Sequence, residues 1–437
     1  MKYRLALVGC GHHAERAHLP VLARERDSIQ LVAVFDRLEA NSLILERLGR
    51  HDFNNVQLTA LDQAAQSNRA LLHNLLDSRL GELDGLILST PAIARKDYLD
   101  WALDRRVPVL IDKPVSVRAN VSVDPTAADG IWEDFGDFLN RAGTTPVVVG
   151  TQRRYHPLYL QIARHLRDIN RETGHSVSFV QVATNDGLWA RDHNKFALFD
   201  PAQTGGGKLI NTGYHLLDLI PWLIRQAPSE KVIATADVYA TAMHVSDMTN
   251  MSPDRINKGN EINAAVQIVL RDIQNRALCQ IQIAALHEGI STRPPPRSTE
   301  PDDWETIVSG RTKQEVLSLY QGPLAAVWMR RIAKLSGTNG KELGDRGHAE
   351  VILAQNPHID PAVESIQHTV HDYRDDETAP TREFCRIISG KHPGSSLSPL
   401  QDHIIPMKLL AKAYRSLTTG QVGRVSFNAQ EWLCPPL

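Results

Sequence analysis

The first half of the chain alternates short apolar runs with stretches of helical periodicity. Residues 3–8 form an apolar run, the pattern of a strand covered on both faces. A glycine turn follows, and residues 14–24 then repeat apolar positions at helical spacing. Further β-rich runs lie at 30–35, 83–88, 107–111 and 147–149, with helical stretches between several of them. Strands alternating with helices predict a parallel, doubly wound sheet, an α/β architecture. In such sheets ligands sit beyond the carboxyl ends of the strands. Asp36, Ser89-Thr90-Pro91 and Asp112-Lys113-Pro114 all stand at those ends.

From about residue 151 the pattern changes. Residues 157–167 read as helix, and 176–184, 232–241, 262–270 and 276–284 as strands of an open, mainly antiparallel sheet. The expected division is therefore 1–150 and 151–437, an α/β part followed by an α+β part. Two stretches exceed a compact version of this plan, 119–145 and about 288–379. The second contains Arg293-Pro294-Pro295-Pro296-Arg297 and a glycine-rich piece near Gly337 and Gly347. Long connections are often functional, so both are expected to close or shape a pocket or to extend an interface. The chain has no internal repeat.

Composition narrows the function classes. A formal charge of -2 over 437 residues gives no reason to expect nucleic acid or an anionic membrane as partner. Lys2 and Arg4 before Leu5-Ala6-Leu7-Val8 have the flavour of a signal peptide, but the run is short and ends in a glycine turn, which favours a buried strand. No stretch has the roughly 20 apolar residues of a membrane span. Cys10, Cys279, Cys385 and Cys434 form no CxxC pair, which argues against a zinc site and against a disulfide framework and fits a cytoplasmic protein.

The turn Gly9-Cys10-Gly11-His12-His13-Ala14 carries specific chemistry. Gly9 permits a tight strand-to-helix turn, Gly11 lets a pyrophosphate approach the backbone, and Ala14 lets the helix pack on the strand. The helix start at His12 and His13 then offers N–H groups to phosphates. Alone, this GxGxxA pattern equally fits a plain structural turn. Asp36 changes the balance: a carboxylate at the end of the second strand accepts hydrogen bonds from an adenosine ribose and repels a 2′-phosphate. NAD is therefore the expected cofactor, and NADP stays open because Arg37 is adjacent.

Together with two later motifs, this turn resembles the glucose-fructose oxidoreductase / inositol dehydrogenase / MocA (Gfo/Idh/MocA) family. The later motifs are Asp112-Lys113-Pro114, where the family has Glu-Lys-Pro, and the run from Gly205-Gly206-Gly207 through Asn211 and His215 to Asp218. Val149-Gly150-Thr151-Gln152-Arg153-Arg154-Tyr155-His156-Pro157 is similar to the family's crossover between domains. The resemblance covers roughly 3–240 and returns near 384–427. It implies an N-terminal Rossmann domain that binds NAD(P), contacted also by Ser89, Thr90, Pro91, Asp112 and Lys113. It also implies an α+β domain that binds substrate and forms a homo-oligomer, dimer or tetramer. The implied activity is hydride transfer on a sugar, polyol or glycoside.

Lys113 is the first catalytic candidate. A cation beside the reacting carbinol polarises a carbonyl or stabilises an alkoxide. His215 suits proton exchange with a hydroxyl near neutral pH, although a histidine on an apolar helix is also a common core residue. Asn211 lies four residues earlier, so on a helix it shares a face with His215. Many family members carry an aspartate there; an amide orients a substrate but cannot act as a base. Arg95 stands near where many members have a histidine, and Asp218 is placed either to orient His215 or to hold a helix or sheet contact. Tyr155, Asn185, Arg191 and Lys195 are weaker substrate-binding candidates that equally fit ordinary surface groups. His348, His358, His368 and His371 lack a partner set, so no metal site is expected. Two alternatives share the same cradle: a redox-neutral NAD-dependent glycosidase, and an inactive nucleotide-binding regulatory protein, to which Asn211 gives weight.

Overall fold

The computed structural model describes residues 2–185, 200–244, 260–286, 312–323, 325–334, 346–355, 366–374, 377–391 and 396–432. Two compact units emerge, and neither is contiguous. The first comprises Met1–Val117, Glu133–Tyr155 and Asp376–His403, and the second Arg118–Trp132, His156–Asp375 and Ile404–Leu437. The chain passes from one to the other within the helix Pro125–Ala142. That 18-residue helix occupies most of the stretch expected as a long connection.

The first unit is built on a six-stranded parallel sheet. Its strands are β1 (Tyr3–Val8), β2 (Ile29–Arg37), β3 (Gln57–Leu61), β4 (Gly85–Leu88), β5 (Val109–Asp112) and β6 (Val147–Gly150). Their order, β3-β2-β1-β4-β5-β6, is that of a dinucleotide-binding doubly wound sheet. Five of the strands match apolar runs in the sequence. Only the edge strand β3, of mixed exposure, has no such run. Leu5, Leu7, Val34, Ile87, Leu110 and Val148 form the buried middle of the unit. Phe384, on the C-terminal helix Ala379–Ile388, is fully buried with them. Its ring leaves no room for a side chain at Gly85, where a Cβ would lie 2.9 Å from Phe384 Cζ.

The second unit carries a nine-stranded sheet. In chain order its strands are β7 (Val177–Asn185), β8 (Ile233–His244), β9 (Glu261–Asp272), β10 (Ala277–Leu286), β11 (Thr312–Gln321), β12 (Ala325–Lys334), β13 (Arg346–Gln355), β14 (Ile366–Arg374) and β15 (Gly423–Ser426). The spatial order is β14-β13-β12-β11-β7-β10-β9-β8-β15, antiparallel except for β7 with β10. The region about 288–379 is therefore more than a connection: it supplies β11 to β14, four strands of the main sheet. Its strand signal was hidden by inward charge. Glu315 and Arg331 are both buried and pair at 3.1 Å, and Tyr159 donates its hydroxyl to Glu315 Oε1. The helix Pro157–Thr173 brings Tyr159 there. His156 Nδ1 accepts from Leu158 N at its start, and Gly174 closes it in the left-handed conformation. Among the described residues no helix is long and apolar enough to cross a membrane.

Candidate active site

In the first unit the candidate residues gather at the carboxyl ends of neighbouring strands. Gly9 leaves β1 with φ +84°, and its amide donates to Phe35 O at 2.8 Å, tying β1 to β2. A Cβ there would lie 2.5 Å from Ser89 O, so only glycine fits against the end of β4. Gly11 differs: nothing lies within 4 Å of where its Cβ would point, and no side chain caps the helix His12–Ala17 that it begins. Ala14 is fully buried under that helix. Across the turn, Asp36 accepts from Cys10 N at 2.6 Å through Oδ2 and from Arg37 N at 2.7 Å through Oδ1. Burial, followed by the charge of Asp36, pushes the Cys10 thiol up to about 12, so it is no nucleophile. An open face, uncapped amides and a carboxylate at the end of β2 are what a dinucleotide's pyrophosphate and ribose require.

The ends of β4 and β5 are held by Arg95. Its buried guanidinium donates through Nε to Thr90 O at 2.8 Å, and through Nη1 to the carbonyls of Asp112 and Pro114. It therefore grips the backbone on both sides of the half-buried Lys113, whose bond to Pro114 is cis. Thr90 Oγ1 is buried without a hydrogen bond, beside exposed Pro91.

Asp112 faces inward. Oδ2 accepts from Ser89 Oγ at 2.6 Å, and Oδ1 lies 3.4 Å from His13 Nε2 and 3.3 Å from His18 Nε2. Burial would raise its carboxyl, but His13 and His18 outweigh that and hold it well below the usual range. Burial would likewise lower His13; Asp112 and then Glu377 overcome it and lift the imidazole to about 10. His12, next in the turn, is lowered by burial and by Arg16.

In the second unit, Gly205-Gly206-Gly207 leads into a π-helical turn, Leu209–Gly213, and then the helix Tyr214–Ile224. The expectation was a plain helix start; single π turns are a common way to displace side chains at functional sites. Asn211 is exposed on this turn, whereas His215 is 9% exposed and Asp218 1%. The glycines do admit a close backbone approach, but by the chain itself. A Cβ on Gly207 would lie 2.1 Å from Glu261 O, and one on Gly206 2.4 Å from Tyr414 Oη. Buried Glu261 fills the turn: its Oε1 accepts from Gly207 N and Leu209 N, each at 3.0 Å, and from the Tyr414 hydroxyl at 2.5 Å.

The weaker candidates scatter. Tyr155 belongs to the first unit, where its hydroxyl donates to Glu383 Oε2 at 2.6 Å. Asn185 ends β7 and is buried. Arg191 and Lys195 lie outside the described residues, as does His358.

Comparison with known proteins agrees with this geometry. Residues 3–128 match a family model described as an oxidoreductase family with an NAD-binding Rossmann fold. Over 237 residues the chain is 27% identical to the rhizopine catabolism protein MocA of Rhizobium meliloti, covering 54% of this chain and 61% of that protein. Over these residues the chain is similar to the Gfo/Idh/MocA oxidoreductase family. Solved structures at 16% identity share the fold of this chain, two of them as follows. One is GenD2 from gentamicin A biosynthesis in complex with NAD, with a TM-score of 0.59, covering 98% of this chain and 97% of that one. The other is the WlbA dehydrogenase from Bordetella pertussis in complex with NADH and UDP-GlcNAcA, with a TM-score of 0.57 and 98% of each chain covered. The motifs of this family led to Gly9, Gly11, Asp36 and Lys113. They did not reveal that Arg95 grips the lysine loop, that His18 lies against Asp112 with Glu377 behind His13, or that Glu261 fills the second glycine turn. No residue pattern links these groups to their partners.

Proposed function

We propose that this protein is an NAD-dependent oxidoreductase that interconverts a carbinol and a carbonyl carbon of a sugar, polyol or glycoside. The observation that carries the proposal is the open, uncapped turn at Gly11 facing the Asp36 carboxylate. NAD, when bound, supplies the hydride acceptor. Gly9, Gly11 and the amides of His12 and His13 hold its pyrophosphate, and Asp36 its ribose. Ser89, Thr90 and Pro91 line the neighbouring strand end. Lys113, with its backbone gripped by Arg95, stabilises the substrate alkoxide. His215 exchanges the hydroxyl proton, and Asn211 orients the substrate through its amide. The carbohydrate class draws support from the relatives, a rhizopine catabolism protein and a dehydrogenase holding a nucleotide sugar. A homo-oligomer belongs to the same proposal. Tyr239, Tyr320 and Trp328 on the second sheet are exposed, the last two with their rings 6.2 Å apart, and large apolar groups in water favour an interface.

The test is purified protein with NAD and a panel of sugars, inositols and glycosides, followed by NADH absorbance. One substrate class should give a rise. Lys113→Ala and His215→Ala should each lower kcat by about 10²–10⁴ with NAD affinity unchanged. Wild-type turnover in both variants overturns the assignment, and release of free sugar without net NADH points to the redox-neutral glycosidase.

A further inference from the structure

Beside the glycine turn lies a set of ligating atoms that the proposed reaction does not use. His13 Nε2 and His18 Nε2 lie 3.4 and 3.3 Å from the same oxygen, Asp112 Oδ1. The three ligand atoms all fall within 4.8 Å of one another. A four-coordinate zinc ion with nitrogen and oxygen ligands at about 2.0–2.2 Å holds them about 3.3–3.5 Å apart along each tetrahedral edge. Two edges already have that length. A charge-assisted imidazolium–carboxylate hydrogen bond would be shorter, about 2.7–2.9 Å.

The outer partners are those that metal-bound groups carry. Thr381 Oγ1 sits 2.8 Å from His18 Nδ1, Glu377 Oε2 sits 3.5 Å from His13 Nδ1, and Ser89 Oγ donates to the far oxygen of Asp112. Thr381 also lies 3.2 Å from Ala17 O, to which only it can donate. Its hydroxyl proton is committed there, so it accepts the Nδ1–H of His18. With Nδ1 engaged by Thr381, Nε2 is the ring atom that faces the carboxylate. His18 is 2% exposed and Asp112 7%, and neither His18 Nε2 nor Asp112 Oδ1 makes a hydrogen bond. These two buried atoms face each other at 3.3 Å, and a cation bound between them would satisfy both.

We infer that His13 Nε2, His18 Nε2 and Asp112 Oδ1 form a three-ligand site for a divalent transition-metal ion, zinc first. Two imidazoles and one carboxylate select against magnesium and calcium, which prefer all-oxygen shells. Three protein ligands leave a fourth position for water or a small ligand. His13, with 43% of its side chain exposed, gives the ion a way in and can shift to close the third edge.

The test uses untagged full-length protein, stripped with chelator and titrated with zinc alone against a chromogenic competitor. One zinc per chain is expected, at least roughly 100-fold weaker in His13→Ala and about 10–100-fold weaker in Thr381→Val. Cobalt(II) added to stripped wild type should give the visible bands of a four-coordinate ion, lost in His13→Ala. His13 is on the surface, so its removal leaves the core closed. Far-ultraviolet circular dichroism and thermal unfolding of the same preparations report the folded protein and keep this outcome separate from that of the oxidoreductase proposal. Equal zinc uptake by wild type and His13→Ala, or no uptake by either, overturns the inference.

Discussion

Both units place a glycine-rich turn ahead of a helix, and the two turns are used in opposite ways. At Gly9 to Gly11 the chain keeps two amides for itself, Gly9 N on Phe35 O and Cys10 N on Asp36, and leaves the helix start uncapped with open space beside Gly11. At Gly205 to Gly207 the chain brings its own carboxylate: Glu261 takes two amides and the Tyr414 hydroxyl, and its backbone fills the space beside Gly207. One turn waits for an anion from outside, and the other has a carboxyl group built in. Glycines therefore report a close approach without reporting whose atoms approach.

Three substitutions break or sharpen this contrast. The largest effect is expected from Glu261→Ala, which strands two buried amides and a buried hydroxyl. It should lower unfolding stability by about 3–5 kcal/mol in a urea titration, with NAD affinity of the folded protein unchanged. A neutral result would mean that the second turn does not depend on its internal carboxyl group. Gly11→Ala is the converse. Its φ of -73° suits alanine and its Cβ meets nothing, so stability should fall by no more than about 1 kcal/mol. NAD affinity should fall at least about tenfold, roughly 1.4 kcal/mol, by calorimetry; unchanged affinity would remove the turn from the cofactor site.

The smallest effect is a pH slope. Burial raises Glu261 above its ordinary 4.5, although Tyr414 and the backbone amides pull it down. Between the unfolded value and the raised folded value, the folded state binds the extra proton. The contribution of Glu261 to stability is therefore full below about 4.5 and is lost as pH rises through the folded value. Glu261→Gln keeps the acceptor oxygen and removes the proton, so the wild-type-minus-variant difference in unfolding midpoint should become less favourable to wild type with rising pH. Parallel curves would show that this carboxyl is ionised in the fold.

The sequence displays the first sheet well because its strands are buried on both faces and read as apolar runs, as at β1 and β4. It hides β11 and β12 because their inward positions include Glu315 and Arg331, which break the alternation that marks a half-buried strand. The motif residues Gly9, Asp36 and Lys113 were legible because each sits at the end of an apolar strand. The surroundings of Asp112 were not, since His13 and His18 meet it across more than 90 residues of chain, and their own partners Glu377 and Thr381 come from the far end. The exposure of Asn211 against the burial of His215 follows from a π turn, and no residue pattern announces one.

The placement of Phe384 has a consequence for biosynthesis. The ribosome delivers β1 to β6 first, yet the helix that fills the space at Gly85 comes from residues 379–388. At 5–20 residues per second, the parallel sheet must wait on the order of 10–45 seconds, with one flank of its core uncovered, until that helix emerges. A nascent chain of this length, stalled or truncated before residue 379, should thus be the species that chaperones hold longest.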